Sequence, residues 1–178
     1  MKKRVLILFA HPALEKSRVN KVLIQGLDTL ENVTFHDLYE AYPDLEIHVD
    51  SEQKLLLDHD VICFMHPLYW YSTPAILKEW QDLVLVHGWA YGSQGNKLAG
   101  KSFQSIITTG GPQRAYENPD PNRFSIIELL APIVQTARLC KMNFLTPFLV
   151  QGTHGITDEQ INSEKERLNL FLQNLINS

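Results

Sequence analysis

The sequence predicts a doubly wound α/β fold: a five-stranded parallel sheet with helices on both faces. Three observations lead there. Short, almost wholly apolar runs recur along the chain, as strands buried on both sides require. Between them stand segments whose apolar residues fall three and four apart, the helical period. The 178 residues suit one compact unit, 1–178, with no repeat, linker or low-complexity tract dividing it.

The elements follow in chain order. Arg4 to Ala10 reads as a buried first strand, ended by His11 and Pro12. Ser17 is a candidate N-cap, and Val19, Val22, Leu23, Leu27 and Leu30 continue one helical face. Val33 to Leu38 alternates as a second strand, and Ser51 to Asp58 forms a short helix. Val61 to Met65 is a third, buried strand, stopped by His66 and Pro67. Pro74 opens the next helix, where its missing N–H is not needed. Ile76, Leu77, Trp80, Leu83 and Val84 give that helix an apolar face. Gly88 to Gly100 is a loop, and Ser102 to Thr108 is a fourth strand broken by Gly110 and Gly111. Tyr116 to Arg123 reads as a surface loop. Ile126 to Leu139 is helical, with either a kink or a start near Pro132. Phe144 to Val150 is the fifth strand. Thr157 and Gln160 form a capping box before a final amphipathic helix through Ile176.

Composition excludes several function classes. The net charge of -4 offers no basic field for nucleic acid or anionic lipid. The only cysteines, Cys63 and Cys140, call for no disulfide and fit a reducing cytosol. The seven histidines show no metal-ligand spacing, so no metal is expected. Val5 to Ala10 is too short for a signal-peptide core. No apolar run approaches the roughly 20 residues of a membrane span. A soluble, cytoplasmic protein is expected.

With strand order 2-1-3-4-5, ligands bind beyond the carboxyl ends of the strands. Three loops there carry unusual residues. His11 to Asn20 joins a strand to a helix start, where free N–H groups and the helix dipole favour an anion. Ser17 can donate a hydroxyl, and His11 or Arg18 a proton or a charge. Neither G-x-x-x-x-G-K-[ST] nor G-x-G-x-x-G occurs there, which leaves P-loop and Rossmann grips unsupported. The second loop, His66-Pro-Leu-Tyr-Trp-Tyr-Ser-Thr-Pro74, sets three aromatics between prolines. It can stack on a flat ring, join a dimer contact or pack as a satellite core. The third, Thr108-Thr-Gly-Gly-Pro-Gln113, lets backbone come close to a ligand. Together the loops point to a phosphorylated aromatic cofactor.

These loops resemble the flavodoxin-like NAD(P)H:quinone oxidoreductases of the DT-diaphorase type. The likeness extends to the small bacterial branch that includes ancillary flavoproteins of glutathione-gated potassium efflux. His66 to Trp80 is the most specific stretch. His87-Gly-Trp-Ala-Tyr-Gly92, Thr108-Thr-Gly-Gly111 and Ala10-His-Pro12 with Ser17 to Asn20 follow at the family's spacing. By resemblance, His11, Ser17, Arg18, Val19 and Asn20 surround a flavin phosphate. Pro67, Leu68, Tyr69, Trp70 and Tyr71 line the flavin ring, and Thr109, Gly110 and Gly111 supply backbone contacts to its polar side. Tyr116 takes the place of a tyrosine that assists hydride transfer, while that tyrosine's histidine partner is replaced by Asn122.

The resemblance implies a flavin enzyme that moves hydride from NAD(P)H to a quinone-like acceptor. FMN is the expected cofactor, with FAD the alternative. A homodimer is expected, with Trp70, Tyr71, Trp89 and Tyr91 exposed for the interface. The rival roles are a redox-sensing subunit docked on a potassium efflux transporter at the inner face of the membrane, and an azo- or nitroreductase.

Overall fold

Residues 2–117 and 124–178 are described by the structure, a computed structural model. Strand β1 (Val5–Phe9) sets its centre, with all five residues buried. A strand turns successive side chains to opposite faces, so each face of β1 needs its own apolar cover. Val5, Ile7 and Phe9 enter one core with Val19, Leu23, Leu168 and Leu172. Leu6 and Leu8 enter the other with Ile76, Leu77 and Trp80. Strand β3 (Val61–Pro67) divides the same way, Cys63 and Met65 against Ile62 and Phe64. Both cysteines are free thiols.

All strand pairs are parallel, and the order is β2-β1-β3-β4 with β2 at Val33–Asp37 and β4 at Ser102–Thr109. The expected fifth strand arrives in two pieces, β5 (Asn143–Phe144) and β6 (Phe148–Gln151), both on β4. The order 2-1-3-4-5 therefore holds, in a six-stranded sheet. Phe103 pairs with Phe144 but Ile106 with Phe148, so the outer strand carries one extra residue. Pro147, which has no N–H to give a ladder, lies in that interval. The Gln104 side chain donates to the stranded Thr146 carbonyl at 3.0 Å.

Helices α1 (Arg18–Leu23) and α7 (Asp158–Asn177) cover one face of the sheet. The other face carries α2 (Leu38–Ala41), α3 (Val49–Asp58), α4 (Ala75–Val84), α5 (Ile126–Leu129) and α6 (Ala131–Leu139). Ser17 caps α1, and Thr157 with Gln160 boxes the start of α7, as the sequence predicts. Three boundaries differ. The first helix stops at Leu23 rather than running to Leu30, because Gly26 takes a φ of 84° and the chain resumes as a 3-10 turn. The second strand stops at Asp37, whose carboxylate turns to cap α2 by accepting from Tyr39 N–H at 3.0 Å. The third strand runs two residues beyond Met65, with His66 opposite Ile107 and Pro67 opposite Thr108. Pro132 lies in the first turn of α6, the position it tolerates best, after a Ser125–Glu128 capping box has started α5.

A buried carboxylate locks α3 to its neighbours. Glu52 is 1 % exposed. Its Oε1 accepts from Tyr42 Oη at 2.5 Å and His36 Nε2 at 2.8 Å, and its Oε2 from Trp80 Nε1 at 2.7 Å. Burial alone raises its pKa, but the hydrogen bonds from His36, Tyr42 and Trp80 outweigh burial and hold it below the usual carboxylate value. Glu52→Ala, which leaves two buried donors unpaired, is expected to cost about 3 kcal/mol at neutral pH. Because the folded pKa is depressed, the carboxylate's contribution is complete above the unfolded pKa of about 4.3. It is lost as pH falls through the folded value. Urea melts of the two proteins should therefore converge in acid; a constant gap across pH would contradict this account.

Candidate functional site

Because all the paired strands are parallel, their carboxyl ends lie along one edge of the sheet. Here the chain leaves β1 toward β2 on one side and β3 toward β4 on the other, the arrangement that opens a crevice between them. A cleft of about 670 Å³ occupies this place, within the range of small-molecule and cofactor sites. Every sequence-predicted site residue except Thr109 lines it.

Its first wall is the start of α1. Ser17 Oγ accepts from Asn20 N–H and from Asn20 Nδ2, each at 3.1 Å. Asn20 is buried, and its Nδ2 also reaches Thr108 Oγ1 at 3.2 Å, which ties α1 to the end of β4. The amides of Arg18 and Val19 precede any helical carbonyl able to claim them, so they stay available. The Arg18 guanidinium is drawn away: it pairs with Asp158 at 2.6 Å and donates to the Ile156 carbonyl. The cation left to this end is Lys16, an exposed lining residue. Burial lowers the pKa of His11, and its Nδ1 accepts from Ala13 N–H at 3.2 Å. The ring is thus neutral, with Nε2 as its donor.

The second wall is aromatic and strained. Tyr69 and Ser72 exchange two backbone hydrogen bonds, at 3.1 and 2.9 Å. The residues between them, Trp70 and Tyr71, have φ of 48° and 63°. This is the mirror-image hairpin turn that Asn and Gly usually occupy. Each left-handed residue with a side chain costs about 1–2 kcal/mol. The turn is anchored where Leu68 N–H meets the Thr108 carbonyl at 2.8 Å and where Tyr69 stands edge-on to His11, 5.8 Å between centroids. Beneath it His66 is fully buried; desolvation pushes its pKa down to about 4, and Nδ1 donates to the Pro67 carbonyl at 2.9 Å.

The third wall is the glycine pair. Neither Gly110 nor Gly111 spends its N–H on another described residue. A Cβ on Gly110 would sit 2.4 Å from His154 Nε2, and one on Gly111 3.2 Å from the Tyr116 ring. Thr109, expected to offer its backbone to a ligand, turns its side chain inward, where the hydroxyl donates to the Gly111 carbonyl at 2.8 Å. By strand alternation the neighbouring side chain, Thr108, faces the cleft.

Sequence reasoning missed Ala13, Lys16, Thr108, Thr153 and His154 as lining residues. The first three lie inside quoted loops without a distinguishing mark. Thr153 and His154 follow β6, where no motif pointed. Trp89 and Tyr91, expected at the surface, are instead partly buried against the core. Trp70 is 93 % exposed. Asn122 and most of the Tyr116 to Arg123 loop lie outside the described residues. Among the described residues no group of three His, Cys, Asp or Glu side chains is placed to hold a metal, and no helix is long and apolar enough to cross a membrane.

The sequence profile of the family described as having the flavodoxin-like fold matches residues 3–171. The chain belongs to this flavodoxin-like family. It is 47 % identical over 171 residues to the glutathione-regulated potassium-efflux system ancillary protein KefG of Serratia proteamaculans, covering 96 % of this chain and 93 % of that one. General stress protein 14 of Treponema denticola, solved in complex with FMN, is 32 % identical and superposes with a TM-score of 0.92. That match covers 97 % of this chain and 99 % of the other. An NADPH-quinone reductase from P. pentosaceus is 30 % identical with a TM-score of 0.85, covering 94 % and 96 %. The fold is thus shared with a protein solved in complex with FMN.

The strain in the aromatic turn is measurable. Replacing the exposed Trp70 by Gly removes the left-handed penalty and adds chain entropy to the unfolded state. Trp70→Gly should raise the unfolding free energy by about 0.5–1 kcal/mol in denaturant melts. A loss of stability would show that the turn is not strained.

Proposed function

We propose that this protein is an FMN-dependent NAD(P)H:quinone oxidoreductase. The observation that carries this reading is the pair of unclaimed amides at Gly110 and Gly111, facing the same cleft as the first-turn amides of α1. A ligand with a phosphate at one end and a flat polar ring at the other suits that donor set. The Arg18 and Val19 amides, the Ser17 hydroxyl and Lys16 would hold the phosphate. Asn20 would keep Ser17 and Thr108 in place. Leu68, Tyr69, Trp70 and Tyr71 would cover the ring edge. FMN, when bound, supplies two-electron hydride chemistry. The protein's part is to meet the charge that develops at the ring's polar side, through the Gly110 and Gly111 amides and the Tyr116 hydroxyl. NAD(P)H and then a quinone-like acceptor would use the open side of the cleft in turn. Similarity to an FMN complex and to an NADPH-quinone reductase supports this assignment, and FMN over FAD.

A second role is favoured by the 47 % identity to KefG: docking, with the same flavin, on a potassium efflux transporter. The protein would then be cytoplasmic and peripheral to the inner face of the membrane. Co-purification with a membrane transporter tests it. A homodimer closing each cleft belongs to the same proposal, with the exposed Trp70 at the contact. An azo- or nitroreductase role would appear as a higher kcat/KM for those acceptors than for quinones.

Two outcomes are expected. Purified protein should take up FMN, show a flavin spectrum, bleach anaerobically with NADPH or NADH, and regain colour with a quinone; a protein that takes up neither FMN nor FAD would refute the assignment. Tyr116→Phe should retain FMN but slow both half-reactions in stopped-flow, by about tenfold for one lost hydrogen bond of roughly 1.4 kcal/mol. Unchanged rates would remove Tyr116 from the chemistry.

A further inference from the structure

The segment after β6 enters the cleft with no part in the function described above. Gly152 N–H donates to the Gly111 carbonyl at 2.8 Å, and Thr153 N–H to the Thr109 carbonyl at 3.0 Å. These bonds carry the β4–β6 pairing past the strand ends and fix the next residue, His154, over the glycine pair. Its imidazole lies against the bare Cα of Gly110, so close that a Cβ there would meet Nε2 at 2.4 Å. The Tyr116 ring and hydroxyl cover Gly111 in the same way. Two groups able to hold a proton therefore flank two adjacent free amides. His154 is exposed, lines the cleft, and makes no hydrogen bond with any described residue.

The other titratable groups of the cleft are less suited to passing a proton. His11 is kept neutral by burial, with Nδ1 taken up by Ala13. Arg18 is paired with Asp158, and Lys16 stands at the α1 end. Tyr69 and Tyr71 belong to the aromatic wall. Histidine is the side chain that loads and unloads a proton between about pH 5 and 8.

Resting on the quinone-reductase function above, we propose that His154 is a proton donor of this site, supplying the second proton that quinone reduction consumes. NAD(P)H gives up a hydride, two electrons and one proton. A quinone becoming a hydroquinone takes two electrons and two protons, so one proton per turnover must come from elsewhere. The His154 imidazolium gives it: the Nε2–H bond breaks, an O–H bond forms on the acceptor, and the neutral ring regains a proton from water at its exposed edge.

The test compares wild type, His154→Gln and His154→Ala, each reconstituted with FMN. All three should take up FMN and be reduced by NADPH at equal rates. Re-oxidation by a water-soluble benzoquinone should slow about 10²-fold in His154→Gln and lose the pH dependence that a general acid confers. Free imidazole should restore part of the rate to His154→Ala. Independently of turnover, the ring ¹⁵N–¹H signals of His154, identified by their absence in His154→Gln, should move when wild type is loaded with FMN. Wild-type re-oxidation rates and pH profile in His154→Gln, or ring signals unmoved by loading, would overturn the proposal. A wild type that neither binds FMN nor accepts hydride would overturn the function itself, and this inference with it.

Discussion

Burial of β1 and β3 on both faces is the constraint from which the rest of the molecule follows. A strand with no solvent face cannot sit in a one-sided sheet, so helices must cover it above and below. Covering both faces requires crossovers from one strand to the next parallel one, and parallel strands all end at the same edge. The cleft exists because four of those ends, after β1, β3, β4 and β6, converge there. The Asn20–Thr108 hydrogen bond joins the first and third of these segments across the crevice, and the Leu68–Thr108 backbone bond joins the second and third. Thr108 is the common anchor.

The site is polar at both ends and apolar in the middle, and the two ends obtain their polarity differently. At α1 it comes from first-turn amides, a cap hydroxyl and a lysine, while the nearest arginine is spent on Asp158. At the β4 end it comes from the Gly110 and Gly111 amides, with the Tyr116 hydroxyl and the His154 ring beside them, and the loop is steadied by Thr109 and Gly152, which both hold the Gly111 carbonyl. Fixed backbone donors need no reorganisation when charge develops near them, which is what electrostatic stabilisation requires. The aromatic turn between these ends is held in a conformation that its own residues disfavour, a pattern that clusters at ligand-binding segments.

The Glu52 network is the structural counterweight. None of its residues lines the cleft; Glu52, Tyr42 and Trp80 are buried, His36 is partly so, and the hydrogen bonds tie β2, α3, α4 and the segment after α2 into one unit. Phe64 stands perpendicular to both Trp80 and Phe103, at 5.6 and 4.7 Å, so the same indole that donates to Glu52 also packs on the central sheet. Rigidity there supports β3, whose end carries the strained turn.

The strand order, the two-sided burial and three of the four loops that build the cleft were legible in the sequence, because each leaves a local signature. Apolar runs mark buried strands, Ser17 and Thr157 mark helix starts, and the proline-flanked aromatics and paired glycines mark loops with a purpose beyond turning. What was not legible depends on distance in space. The division of the fifth strand follows from a register against β4 that Pro147 alone does not announce. Thr108 rather than Thr109 faces the cleft because strand alternation is fixed by β4's neighbours. Arg18 is removed from the phosphate end by Asp158, 140 residues away in the chain. His154 enters only because β6 pairs with β4. The sequence by itself determined which residues are buried in strands and where the chain must turn, since hydrophobic period and backbone preference act over a few residues. Only the tertiary structure decided which polar groups meet at the cleft, since a hydrogen bond or an ion pair depends on distance in space and not on separation along the chain.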